Sequence, residues 1–181
     1  TAYWVAGIAG ALFFFVSLLV HEVGHALVAR EEGIGVRGIS LWLLGGVARL
    51  ESSPQTPRAE FRIAVVGPLA SAACGVLLLS VAYVLPDTGL WELAGTACAW
   101  LGRLNLILAA FNLLPAAPLD GGTVLSALIW WRTGSQTAGK LWAARSGIAV
   151  GLGMVWWGFG ELQGDDSGGY GSGVCDYAGD Y

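Results

Sequence analysis

The 181 residues are 55% hydrophobic and only 12% charged, with a mean hydropathy of +0.64. A soluble domain of this length carries about twice that share of charge, and membrane-spanning helices are the structures in which so apolar a chain satisfies its backbone. The net charge of −4 leaves no basic surplus for nucleic acid, and Cys74, Cys98 and Cys175 give no disulfide framework or thiolate metal site.

The chain starts at Thr1, without Met and already inside an apolar run, which leads us to expect an N-terminal truncation. Residues 3–29 form the first expected span. It is apolar from Tyr3 to Val20, carries His21-Glu22-Val23-Gly24-His25, and ends at Arg30-Glu31-Glu32-Gly33. Residues 33–58 are Gly-rich with β-branched and aromatic residues, so short strands around a Gly45-Gly46 turn fit better than helix. Ser52-Ser53-Pro54 and Pro57 close that segment as a loop.

A second span is expected from about Glu60 to Leu85, with Gly67-Pro68 a few turns in, where proline removes a backbone hydrogen bond. The turn Pro86-Asp87-Thr88-Gly89 leads to a third span at roughly 93–114. That span breaks at Pro115 and Pro118 and delivers Asp120 on a non-helical backbone. A short helix at 122–132 and a fourth span at about 142–160 follow. The fold class is thus an all-α polytopic membrane protein of about four transmembrane helices, with a short reentrant β segment between the first and second. Residues 1–160 form its core, and the Gly- and Asp-rich residues 161–181 read as a disordered tail.

Five of the nine Lys and Arg residues (Arg30, Arg37, Arg49, Arg58 and Arg62) flank the loop between spans one and two. Three more, Arg132, Lys140 and Arg145, fall between spans three and four, and the Pro86 turn has none. The positive-inside rule puts both charged loops in the cytoplasm, and His21, His25 and Asp120 toward that side of the bilayer.

His21-Glu22-Val23-Gly24-His25 is an H-E-x-x-H motif. Residues four apart on a helix lie nearly one above the other, so both imidazoles can share one metal ion, usually zinc, with the intervening Glu22 as general base. The duller reading is two histidines at a helix end with a snorkelling glutamate, but three polar groups at membrane depth are costly without a purpose. A catalytic zinc needs a third protein ligand and an open position. Asp120, in Pro118-Leu119-Asp120-Gly121-Gly122, is the candidate, although Asp-Gly also favours simple turns.

The pair of segments His21–His25 and Asn112-Leu-Leu-Pro115-Ala-Ala-Pro118-Leu-Asp120-Gly121-Gly122 resembles the site-2 protease family of intramembrane zinc metalloproteases, over roughly residues 3–158. Leu44-Gly45-Gly46-Val47-Ala48 and Gly67-Pro68-Leu69 resemble that family's reentrant strand segment and following helix. The resemblance implies that His21, His25 and Asp120 hold one zinc ion per chain and that Glu22 activates water. It implies that Asn112 helps position the substrate or the Asp-bearing loop, and that residues 39–50, with Gly45 and Gly46, offer a strand edge to an unwound substrate. For Gly45-Gly46 an ordinary hairpin turn is the alternative.

The chain departs from the family pattern at Thr123, where Arg is frequent, and at Arg103, which faces water or pairs with a carboxylate such as Glu92. The family's helix ahead of the motif-bearing one is expected to be missing. The function implied is that of an intramembrane zinc endopeptidase in a prokaryotic cell membrane. Its expected partners are the lipid bilayer and single-span membrane substrates, such as anchored regulators or signal-peptide remnants. The alternative is a catalytically silent membrane protein that binds metal and transmembrane substrates without cutting. A metal transporter would need acidic and His residues along several spans, and only one such cluster exists.

Overall fold

The computed structural model describes residues 2–42, 45–86 and 88–164. The elements run in the order α1 (Ala2–Glu31), β1 (Val36–Trp42), β2 (Gly45–Leu50), α2 (Pro57–Val84), α3 (Gly89–Asn112), α4 (Asp120–Thr133) and α5 (Gln136–Gly164). Two units divide the chain, Thr1–Gly147 and Ile148–Tyr181; the first holds α1 to α4, the hairpin and the start of α5, and the described part of the second is the helical remainder of α5.

Three helices among the described residues are long and apolar enough to cross a membrane: Trp4–Glu31, Pro57–Val84 and Gly89–Asn112. Four such spans were expected. The fourth, α5, has sufficient length at 29 residues, but it is not among the three. Repeated glycines and the tryptophans near its end dilute its apolarity. The spans present large apolar side chains outward, including Phe13 on α1, Leu77 on α2 and Ile107 on α3, as lipid-facing helices do. In the most apolar stretch of α2, 33% of residues are buried, against 11% in α1, so α2 is the central helix of the unit.

Local chemistry sets the bounds of α2. Thr56 caps its start by accepting a hydrogen bond from the Ala59 amide at 3.1 Å, and Pro57 occupies the first turn, where a missing N–H costs nothing. Pro68 lies buried within it, and the helix continues through to Val84. On α3, Gly102 meets Gly75 of α2: a Cβ on either would stand 2.9 Å from the other's carbonyl oxygen. This is the small-residue contact by which membrane helices approach closely. Arg62 of α2 reaches back to the end of α1, pairing with Glu31 at 3.2 Å and with Glu32. A small apolar cluster of Ala29, Ile34 and Ile63 packs beneath that contact.

The expected strands are present as one antiparallel hairpin, with pairs from Val36↔Leu50 to Trp42↔Gly45 and an irregularity between Val36 and Gly38. Gly45 and Gly46 do not form its turn. They pair with Trp42 and Leu41 inside β2, because the register closes the ladder at Trp42↔Gly45. Leu44 lies outside the described residues.

Asp120 also departs from expectation: it is the first residue of α4 and not part of an irregular loop. Pro118 two residues earlier bars helix upstream, while an acidic side chain in the first turn suits the positive end of the helix dipole. Arg103 is exposed, with its guanidinium 5.9 Å from the Trp100 ring centroid, and has no ion pair with Glu92 or any other carboxylate among the described residues. A tail was expected from residue 161, but α5 extends to Gly164; residues 165–181 lie outside the described residues.

Candidate metal centre

His21 and His25 stand one turn apart on α1, both buried, and turn toward α2. Each ring is held at its far nitrogen. His25 Nδ1 lies 2.6 Å from the Ile63 carbonyl oxygen, and His21 Nδ1 lies 2.9 Å from Ser71 Oγ. A carbonyl can only accept, so Nδ1 of His25 carries the proton and its Nε2 presents a lone pair. The same tautomer on His21 has Ser71 accepting. Such partners on the outer nitrogen orient metal-binding imidazoles and raise their basicity.

Asp120 completes a triangle. Its Oδ2 lies 3.1 Å from His21 Nε2 and 3.4 Å from His25 Nε2, and the two Nε2 atoms are 3.2 Å apart. With both rings in that tautomer, three lone-pair atoms converge, an arrangement that a cation among them would relieve. A tetrahedral zinc with ligand bonds of about 2.0–2.1 Å has ligand–ligand edges of about 3.3–3.4 Å. The donor set and the three observed edges therefore fit such an ion. This is the group of described residues that could hold a metal.

Two close backbone approaches fix the triangle. Gly67 of α2 faces the imidazoles so closely that a Cβ there would lie 2.2 Å from His25 Nε2 and 2.7 Å from His21 Nε2. Gly121, buried at the start of α4, lies under the preceding loop: its Cβ would fall 2.3 Å from the carbonyl oxygens of both Leu113 and Leu114. The loop is tied down by the Leu119 amide on the Ala116 carbonyl at 2.9 Å and the Ala117 amide on the Ala143 carbonyl at 3.2 Å. Asp120 is thus presented from a packed support.

A cavity of about 570 Å³ adjoins the triangle, bordered by Glu22, His25 and Asp120 and, farther along, by Glu60, Ser126 and Gln136. Glu22 is itself buried. The structure therefore brings together the four residues to which the sequence assigned chemistry. Asn112 ends α3 half-buried and is not among the described residues that border the cavity. Sequence reasoning passed over Ser71 and Glu60. Their signal was the spacing 60, 63, 64, 67 and 71, which is one face of a helix.

Two imidazoles and a carboxylate converge beside a buried glutamate within apolar helices, a group that could hold a metal ion. The model of Peptidase family M50 matches residues 9–97 and 90–154, and the chain belongs to that family. It is 41% identical over 160 residues to Rip3 of Mycobacterium tuberculosis, covering 88% of this chain and 41% of that protein. It is 36% identical over 148 residues to the zinc metalloprotease MJ0392 of Methanocaldococcus jannaschii, covering 81% of this chain and 42% of that one. The solved site-2 protease from Methanocaldococcus jannaschii superposes with a TM-score of 0.66 at 32% identity, over 83% of this chain and 67% of that chain. The chain spans about two fifths of the length of these curated relatives. Its three long apolar helices make it an integral membrane protein.

Proposed function

We propose that this chain is the core of an intramembrane zinc endopeptidase, which hydrolyses peptide bonds within transmembrane segments of other membrane proteins. The observation that carries the reading is the tetrahedron-sized triangle of His21, His25 and Asp120, with the carboxylate of Glu22 at the same cavity. One zinc ion held by those three residues would supply a Lewis acid for the scissile carbonyl and its developing oxyanion.

The remaining chemistry belongs to the chain. With their outer nitrogens held by Ser71 and Ile63, His21 and His25 would offer Nε2 to the metal, and Asp120 would contribute a carboxylate oxygen. Glu22, adjacent to His21 but outside the triangle, takes the proton of the attacking water and passes it to the departing amine nitrogen. A site that bound metal for structure alone would gain nothing from a second buried carboxylate, which weighs against a silent binder.

Cleavage of a helical substrate requires local unwinding, which frees backbone groups that need partners in a membrane. The hairpin of β1 and β2 is assigned to supply a strand edge by β-augmentation, as a reentrant element. Asn112 is assigned to support of the loop at 113–117. We place α5 as the fourth span and the active site toward the cytoplasmic side of a prokaryotic cell membrane, from the bias of Arg and Lys toward two loops. Single-span proteins, such as anchored regulators or signal-peptide remnants, are the proposed substrates. The test is zinc content and cleavage of a single-span protein in liposomes, by wild type and by Glu22→Gln. Both should hold one zinc, and only wild type should cut; cutting by both, or zinc in neither, would refute the assignment.

A further inference from the structure

The metal triangle leaves part of the cavity wall without a task. Glu60, on the first turn of α2, is 5% exposed, and Ser126, on α4, is 3% exposed. Both border the cavity. Ser126 Oγ has no hydrogen-bond partner among the described residues. The carboxylate of Glu60 has one weak contact, the Gln136 side-chain amide at 3.5 Å, and that amide is shared with the Pro54 carbonyl at 3.4 Å. Among the described residues no cation lies within ion-pair distance of Glu60. Lys140 also borders the cavity, one turn beyond Gln136 on α5, but it is exposed and unpaired with Glu60.

A buried carboxylate and a buried hydroxyl so poorly satisfied are expensive unless something else reaches them. Their placement says what that is. Glu60 lies seven residues before Gly67, on the same face of α2, and Gly67 abuts both imidazoles. Seven residues of helix rise about 10 Å, which an extended peptide covers in about three residues. A membrane segment ends in Lys and Arg on its cytoplasmic side, and a long basic side chain can bury its stem along apolar surface while its head finds a carboxylate.

We infer that Glu60, with Ser126 and Gln136, forms a specificity subsite that receives a basic substrate side chain about three residues from the bond cut at the metal centre. The inference rests on the protease reading and deepens it. The carboxylate of Glu60 takes the charge, while Ser126 Oγ and the side-chain oxygen of Gln136 are free to accept the remaining N–H groups. The substrates selected are single-span segments with Lys or Arg close to the cleaved bond, ahead of those that are apolar or acidic there.

Binding tests this without requiring turnover. The full chain carrying Glu22→Gln would be titrated in detergent with a labelled single-span peptide, bearing one Lys stepped residue by residue along its basic end, each matched by a Leu peptide. One Lys position should bind about tenfold tighter than its Leu counterpart. Adding Glu60→Gln should erase that preference while leaving the Leu peptides unchanged, and Glu60→Lys should move it to a Glu-bearing peptide. Absence of any preferred Lys position, persistence of the preference without Glu60, or an equal loss for every peptide would each overturn the subsite. Cleavage by wild type is scored separately: a Lys preference without any cutting would sink the protease reading and leave the binding subsite standing.

Discussion

Gly67→Ala is the smallest change that should disable the site. The new methyl carbon would stand 2.2 Å from His25 Nε2, 2.6 Å from His25 Cε1 and 2.7 Å from His21 Nε2. Ordinary contact distances are about 3.5–4.0 Å, so both rings must retreat by roughly 1 Å. Neither is free to do so. Retreat stretches the bond of His25 to Ile63 and of His21 to Ser71, each worth about 1 kcal/mol net. Displacement of this size at a reacting centre costs about a hundredfold in rate, and loss of one imidazole from three ligands should empty the site. Intrinsic helix preference works the other way, favouring alanine by about 1 kcal/mol. The variant should therefore insert and unfold like wild type while losing most of its zinc and at least about a hundredfold in cleavage rate. Metal analysis of the purified protein, paired with a thermal melt, reads both quantities. Full zinc occupancy with normal cleavage would refute the close approach of α2 to the histidines.

Ser71→Ala removes the partner of His21 Nδ1 and leaves the three ligands in place; zinc affinity by competition with a chelator should fall by about 10- to 100-fold. Gly75→Leu forces a side chain against Gly102 and Leu106 on α3 and should cost about 1–3 kcal/mol or more in a detergent unfolding assay. Gly7→Ala on α1, where nothing stands within 4 Å, should cost nothing measurable in the same assay.

Much of this architecture was legible because membrane helices announce themselves by length and apolarity. The spans expected at 3–29, 60–85 and 93–114 correspond to α1, α2 and α3 within a few residues. The H-E-x-x-H spacing and the later Asp-Gly-Gly likewise pointed to one metal site, since helical periodicity alone fixes His21 over His25. Other features depend on contacts across the chain. The Gly45-Gly46 pair suggested a turn by local preference, but its position in β2 is set by cross-strand register, which no local signal encodes. Asp120 was expected on irregular backbone because prolines precede it, yet the two glycines after it let a loop pack onto the start of α4. Ser71 and Glu60 were overlooked for a related reason. A serine or glutamate within an apolar run acquires meaning only once the face of α2 that meets α1 is known.

The most direct test of the central claim is the position of the cut. A single-span substrate would be reconstituted in liposomes with wild-type protein, and the products measured by mass spectrometry before chelation, after chelation and after zinc is restored. The account predicts cleavage at a bond within the substrate's apolar span, lost with the chelator and regained with zinc. Cleavage confined to the flanks outside the bilayer, or the same product in chelator, would contradict it.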